Sequence, residues 1–162
     1  MAIYLVSGLQ IVAQPTDGVC WWASDTMLYK WSQKSGRGSM IDPLADSCMK
    51  SRYENNGDWS SGNNALMASK LNMVQISSLD LDYWSLVSAF TKHGPIFASV
   101  QKNWHGNNYG HAVVLGGVAD TGVLVYDPEP INKGTRIWLT WDQIKKAVEG
   151  IEDPTPQYLA AV

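Results

Sequence analysis

Apolar residues that recur every three or four positions predict helices in the first half of the chain. The clearest repeat begins at Val19, directly after the turn-forming segment 15–18, and continues to Gln33. Cys20 is therefore expected at or near the N-terminus of a helix. Weaker repeats predict further helices over 42–54, 62–70 and 82–92, the last of them capped by Asp80 or Asp82.

The second half of the chain instead shows short apolar runs separated by turn-forming residues, which is typical of strands. A turn over 119–122 joins two of these runs into a predicted hairpin. Thr140 and Gln143 fit a capping box for a last helix that ends near Gly150. Helices followed by a largely antiparallel sheet predict an α+β fold. The expected strands cover 96–100, 111–118, 123–126 and 135–139, and 9–13 is expected to be extended.

The overall composition indicates one globular domain over 1–162. Hydrophobic residues make up 45% of the chain and charged residues 17%, which is a composition that can bury a core. The net charge is -3, and Lys and Arg do not cluster. These two features argue against a nucleic-acid partner.

Two further features concern disulfides and membranes. The chain contains two cysteines, Cys20 and Cys48, and we expect them to be unpaired because a domain of this size needs no disulfide. No apolar stretch reaches the roughly 20 residues that a membrane span requires. Residues 1–13 lack the basic start of a signal peptide, so they are expected to belong to the fold.

Cys20 is the first candidate for chemistry. A thiol attacks as its thiolate, which the partial positive charge of a helix N-terminus stabilises. Its predicted place at the start of a helix fits that role. A cysteine considered alone is nevertheless more often a small buried core residue, so other residues have to decide between the two interpretations.

His111 and Asp127 are candidates to work with Cys20. His111 opens an apolar strand beside Gly110, and a strand end is a rigid mounting for a general base at the edge of a cleft. Asp127 follows the partner strand of the predicted hairpin, so it can accept a hydrogen bond from the imidazole ring. Each residue also has an ordinary interpretation, as a histidine satisfied in the core and as an aspartate that starts an Asp-Pro turn.

Gln14 stands six residues before Cys20. A side-chain amide at that place can donate, together with the backbone N–H of Cys20, to the oxyanion of a tetrahedral intermediate. In isolation, Gln14 is better interpreted as an ordinary loop glutamine.

The remaining histidines are weaker candidates. His93 is expected at a helix C-terminus, where a cation suits the helix dipole, and is interpreted as structural. His105 lies in a polar loop with Trp104, and that loop either borders a substrate cleft, where Trp104 would stack on substrate, or is a plain surface loop. Three scattered histidines and two cysteines do not meet the ligand spacing of a zinc site, so no metal is expected.

Taken together, these segments resemble the papain-like cysteine peptidases. They are similar above all to compact bacterial forms, such as secreted effector proteases and the related bacteriocin-processing peptidases. The segments that carry the resemblance are Gln14, Cys20-Trp21-Trp22-Ala23-Ser24, Gly110-His111-Ala112-Val113-Val114 and Val125-Tyr126-Asp127-Pro128.

The sequence departs from the family pattern at two positions. Val19 precedes the nucleophile where plant-type members have Ser, and Asp127 stands where larger members often have Asn. Both Asp and Asn can accept from a ring N–H, so the chemistry is retained. The departures weaken any transfer of cleavage specificity.

The resemblance implies a helical half that carries the Cys, a sheet half that carries the His and Asp, and a cleft between them. It implies a cysteine endopeptidase that cuts a protein substrate without a cofactor. The implied catalytic residues are Cys20 as nucleophile, His111 as base, Asp127 as orienting residue and Gln14 as oxyanion donor. Trp21, Trp104 and Gly110 are expected to bind substrate.

By the same resemblance, the protein is expected to be a bacterial effector or toxin domain, secreted or delivered into a target cell and acting in its cytoplasm. A cognate immunity or inhibitor protein is a candidate partner. Three alternatives stay open at this point. They are a peptidoglycan amidase, an acyl or amine transferase on a similar scaffold, and an inactive peptidase-like binding module.

Overall fold

The computed structural model describes residues 2–151 and 156–162. Helices occupy the N-terminal half and an antiparallel sheet dominates the C-terminal half, which confirms the predicted α+β class. The helices are α1 (Cys20–Lys34), α2 (Ser47–Glu54), α3 (Asn64–Leu71), α4 (Tyr83–His93) and α5 (Trp141–Glu149), and a short 3-10 turn covers Ser61–Asn63. The strands are β1 (Tyr4–Leu5), β2 (Met73–Ile76), β3 (Ile96–Lys102), β4 (Tyr109–Ala119), β5 (Gly122–Asp127), β6 (Thr135–Thr140) and β7 (Tyr158–Ala161).

The described strands form one sheet in the order β2-β7-β3-β4-β5-β6. Strand β1 pairs with the part of β4 that extends past the first residue of β3. Every pairing among them is antiparallel. Strand β7 is the last in the chain, yet it lies between β2 and β3. Strands β3, β4 and β5 are buried along most of their length, which explains their nearly continuous apolar sequence.

Helix α1 packs against β3, β4 and β7 and is buried over most of its surface. Trp21, Met27 and Leu28 on this helix are each no more than 1% exposed. A helix enclosed in this way needs buried residues all round rather than in one stripe. The enclosure fixes Cys20, the first residue of α1, relative to the neighbouring strand β4.

Several predicted elements are confirmed within one or two residues. Helix α1 begins at Cys20 as expected. Helix α4 is capped by Asp82, whose carboxylate accepts from the N–H of Ser85 at 2.8 Å. The capping box of Thr140 and Gln143 at the start of α5 has both of its hydrogen bonds.

Other predictions were wrong in extent or missed an element. The helix expected over 42–54 begins only at Ser47, because Asp46 caps it by accepting from the N–H of Met49. Strands β1, β2 and β7 were not predicted. None of the helices among the described residues has the length and apolar character needed to cross a membrane.

Candidate active site

Cys20 is partly buried and unpaired, as is expected for a thiol with a chemical role. It begins α1, and Val19 before it provides no side-chain hydrogen bond to the helix. The first N–H groups of α1 therefore have no side-chain cap, and they carry the positive end of the helix dipole. Cys48 is also free and lies exposed on α2.

The loop before Cys20 is held by Asn56. The N–H of Gly18 donates to Asn56 Oδ1 at 2.8 Å, and Asn56 Nδ2 donates to Asp17 Oδ1 at 2.7 Å. A Cβ at Gly18 would lie 2.3 Å from the backbone oxygen of Asn56. Only glycine lets the two segments approach this closely, so Asn56 and Gly18 together set the entry into α1.

His111 lies on β4 between Cys20 and Asp127, and its side chain is 2% exposed. Its Nε2 lies 2.7 Å from Asp127 Oδ1. Cys20 lines the same cleft as His111, and its side chain helps to raise the pKa of the imidazole. Because Asp127 engages Nε2, Nδ1 is the ring atom left for the thiol. The order of groups is therefore thiol, imidazole and carboxylate, as in a catalytic triad.

The hairpin of β4 and β5 produces this arrangement. Val114 pairs with Tyr126, and a bulge between Leu115 and Gly117 shifts the register near the turn. Asp127 ends β5 and faces the part of β4 that carries His111. The expected meeting of two strand ends is thus what brings these side chains together.

The electrostatics of the pair favour charges on both partners. Burial acts to lower the pKa of His111, but the hydrogen bonds to Asp127 and Cys20 outweigh burial and raise the pKa to about 9. Burial acts to raise the pKa of Asp127, but its contacts with His111 and Lys102 outweigh burial and hold it below the usual range. At neutral pH the pair is an imidazolium and a carboxylate.

Three further residues surround Asp127, and sequence reasoning missed all of them. Lys102 Nζ lies 2.9 Å from Asp127 Oδ2 and 3.0 Å from Glu129 Oε1. The hydroxyl of Tyr109 donates to Glu129 Oε1, which also lies 3.3 Å from His111 Nε2. A lysine that ends an apolar strand and a Glu directly after the Asp-Pro pair were the available signals.

His111, Asp127 and Glu129 form a group of ligand atoms close enough to hold a metal ion. The ammonium of Lys102 contacts both carboxylates of this group. The carboxylates therefore already have a cation, and a divalent ion would be repelled by it. This donor set does not fit a metal site.

Gln14 is fully buried behind the loop that precedes Cys20. Its Nε2 donates to the carbonyl oxygens of Thr16 at 2.9 Å and of Asp17 at 3.2 Å. Both amide hydrogens are thus engaged within the loop. In this conformation the amide supports the loop and points at its carbonyls.

A cleft of about 540 Å³ opens beside the thiol. Cys20 and His111 lie on its wall. Two of the residues that the resemblance predicted to bind substrate, Trp21 and Gly110, also line it. Trp21 is 1% exposed and its indole N–H donates to the carbonyl of Gly57, so it forms a fixed wall. A Cβ at Gly110 would meet no atom within 4 Å, so the cleft is open there.

Trp104, the third residue expected to bind substrate, does not line the cleft beside Cys20. Its side chain is 5% exposed, and Lys102 Nζ sits 5.4 Å from the ring centroid. It lines a second cavity of about 290 Å³ with His105, on the side of Asp127 and Glu129 rather than beside Cys20. In this position Trp104 packs against Lys102.

Asp25 is a buried acid on α1 that sequence reasoning did not single out. It is fully buried, and neither carboxylate oxygen has a hydrogen-bond partner among the described residues. Burial, with a smaller contribution from the charge of Cys20, raises its pKa well above the usual range. Asp25 therefore favours the neutral acid, the form that costs least in an apolar interior.

His93 ends α4, as predicted. Burial and the charges of Lys92 and Arg37 lower its pKa. It lies outside the residues that line the cleft beside Cys20.

Comparison with known families supports what this geometry indicates. The family model described as papain-like cysteine protease AvrRpt2 matches residues 5–142 of the 162. No individually curated protein matches the chain. The matched part includes Cys20, His111 and Asp127 and spans most of the chain. The chain therefore belongs to the papain-like cysteine protease family represented by AvrRpt2.

Proposed function

We propose that the protein is an endopeptidase that cuts a protein substrate with Cys20, His111 and Asp127 as its catalytic triad. The observation that carries the proposal is the position of His111, which shares the wall of one cleft with Cys20 and lies 2.7 Å from Asp127. Membership of a cysteine protease family favours this activity over the amidase, the transferase and the inactive binding module. The single domain over 1–162 is part of the same proposal.

In the first half of the reaction, the Cys20 thiolate attacks the carbonyl carbon of the scissile peptide bond. A bond forms between Sγ and this carbon, and the carbonyl oxygen becomes an oxyanion. The imidazolium of His111 then gives its Nδ1 proton to the leaving nitrogen, and the C–N bond breaks. The amine product leaves and an acyl-enzyme thioester remains.

In the second half, neutral His111 takes a proton from water. The resulting hydroxide attacks the thioester carbon, the bond to Sγ breaks, and the thiolate and imidazolium are restored. Asp127 holds the ring in one tautomer throughout and stabilises its charged form.

The oxyanion needs donors that are fixed before the reaction. The backbone N–H of Cys20, at the uncapped start of α1, is the first proposed donor. Gln14 is proposed as the second. To act, its amide must turn away from the carbonyls of Thr16 and Asp17, which it contacts in the described conformation.

Substrate is proposed to lie in the cleft beside Cys20, against Trp21 and over the open position at Gly110. Trp104 remains a proposed substrate contact only if the loop after β3 moves, since its ring packs against Lys102. Delivery into a target cell, and a cognate immunity or inhibitor protein, are proposed from the resemblance to bacterial effectors.

The test compares cleavage of two kinds of substrate by the wild type and by variants of the proposed triad. Wild-type protein, Cys20→Ala and His111→Ala are each incubated with a mixture of folded proteins and, separately, with purified peptidoglycan. We expect internal cleavage of proteins by the wild type only, with new N-termini detected by mass spectrometry. Release of amino sugars or stem peptides from peptidoglycan instead would overturn the peptidase proposal.

A further inference from the structure

Lys102 is a buried cation beside the proposed triad. It is the last residue of β3, and its side chain is 6% exposed. A buried ammonium is costly unless it is paired and hydrogen bonded. Among the described residues, Lys102 meets that condition through two carboxylates, those of Asp127 at 2.9 Å and Glu129 at 3.0 Å.

These contacts divide the acceptor atoms of Asp127. Oδ2 accepts from Lys102, whereas Oδ1 accepts from the N–H of Glu129 at 3.0 Å and faces His111 at 2.7 Å. With both oxygens engaged, the carboxylate cannot rotate without losing a charged partner. Lys102 thereby fixes which oxygen faces the imidazole.

Glu129 is a second carboxylate on the same ring nitrogen. Its Oε1 lies 3.3 Å from His111 Nε2 and also accepts from Lys102 and Tyr109. Two carboxylates this close to each other repel, and without a cation one of them would take up a proton. Lys102 removes that tendency, so both can stay charged beside His111.

We propose that Lys102 is a positioning residue that keeps Asp127 and Glu129 ionised and fixed on His111, so that two carboxylates hold the imidazolium. This inference rests on the proposed function. It assigns the orienting role to a cluster in which Glu129 shares the imidazole with Asp127.

The charged and titratable groups that face this cluster come from several elements. Cys20 faces it from α1, Tyr109 from β4, and His105 from the loop after β3. Lys102 is the cation that contacts both carboxylates. Its removal takes a like charge away from the imidazolium and an opposite charge away from the carboxylates. Both changes make protons bind more tightly.

The test measures alkylation of Cys20 by iodoacetate as a function of pH, which needs no substrate. Iodoacetate reacts with the thiolate, and because it is an anion it is drawn to the imidazolium. The rate should therefore rise once with thiolate formation and fall once with loss of the imidazolium proton. Lys102→Met should move the alkaline limb, which follows His111, to higher pH by about one unit.

Lys102→Arg should restore most of the wild-type profile because it keeps the cation. Glu129→Gln should move the alkaline limb in the opposite direction, to lower pH, because it removes a negative charge from His111. Lys70→Met is the matched control, since Lys70 pairs with Asp46 and does not line the cleft. Its profile should equal that of the wild type.

Thermal unfolding verifies that each variant is folded, and Glu129→Gln provides the test if Lys102→Met does not fold. Profiles of Lys102→Met or Glu129→Gln that superimpose on the wild type would overturn the inference. If His111→Ala gives the same pH profile of Cys20 alkylation as the wild type, the proposed function has failed instead. The two failures are thus distinguishable in one experiment.

Discussion

His111 Nε2 lies 2.7 Å from Asp127 Oδ1, and both side chains are 2% exposed. The contact joins the beginning of β4, away from the hairpin turn, to the last residue of β5. Asp127→Asn keeps the shape of this contact but removes the negative charge. Because that charge helps to raise the pKa of His111 to about 9, we expect the variant to lower this pKa.

The measurement for Asp127→Asn is an NMR titration of His111 together with kcat/KM on an identified substrate. We expect kcat/KM to fall by a factor on the order of 10² to 10⁴, as happens when a triad loses the residue that fixes its tautomer. Asp120→Asn, in the turn between β4 and β5, is a control that should leave both quantities unchanged. An unchanged titration in Asp127→Asn would contradict the assigned role.

Gly18→Ala and Gly110→Ala form a pair that separates loop geometry from substrate binding. The added Cβ would meet the backbone of Asn56 at 2.3 Å in the first variant and no atom within 4 Å in the second. We expect Gly18→Ala to displace the loop before Cys20 and to lower both iodoacetate labelling and kcat.

Gly110→Ala is expected to leave thermal stability and labelling nearly unchanged. Because Gly110 lines the cleft, the new methyl group should raise KM for a protein substrate instead. Steady-state kinetics measure the difference. Equal behaviour of the two variants would contradict the assignment of Gly110 to substrate binding.

Gln14→Ala tests the proposed second oxyanion donor. Loss of one such donor lowers kcat by a factor of about 10² to 10³. We expect a loss of that size with normal labelling of Cys20, which needs no oxyanion donor. The free energy of unfolding should fall as well, because Gln14 is fully buried and donates to Thr16 and Asp17. If labelling falls together with kcat, Gln14 serves only to hold the loop.

Asp25→Asn tests the cost of a buried acid. The folded protein raises the pKa of Asp25, so the stability that this group contributes is complete below its unfolded pKa of 3.8 and is lost as pH rises. Removal of the ionisable group should therefore increase the free energy of unfolding more at pH 8 than at pH 5. Urea unfolding at the two pH values measures the change. An equal effect at both would mean that folding does not raise the pKa of Asp25, since the carboxyl would then be ionised in the folded and unfolded states alike.

The fold class, the start of α1 and the contact between His111 and Asp127 were predictable because each depends on local patterns. The helical repeat placed Cys20 at the start of α1, and the hairpin turn placed Asp127 near His111. Both relations need only nearby sequence and the regular geometry of helices and strands.

The missed features depend on distant contacts. Lys102 is buried in β3 because two carboxylates more than twenty residues later reach it, and a lysine alone predicts exposure. Asn56 holds Gly18 although α1 and α2 lie between the two residues in the sequence. Strand β7 is short and wholly buried, so it shows no alternation of apolar and polar residues.

The place of β7 between β2 and β3 has a consequence for the order of assembly. Helix α1 packs against β7, so the support beneath Cys20 includes residues from the far end of the chain. During synthesis Cys20 emerges well before β7, and such distant pairings form slowly. A chain cut before Tyr158 should have a thiol no more reactive to iodoacetate than that of Cys48. The reactivity of the Cys20 thiol then depends on β7 as well as on the helix that Cys20 begins.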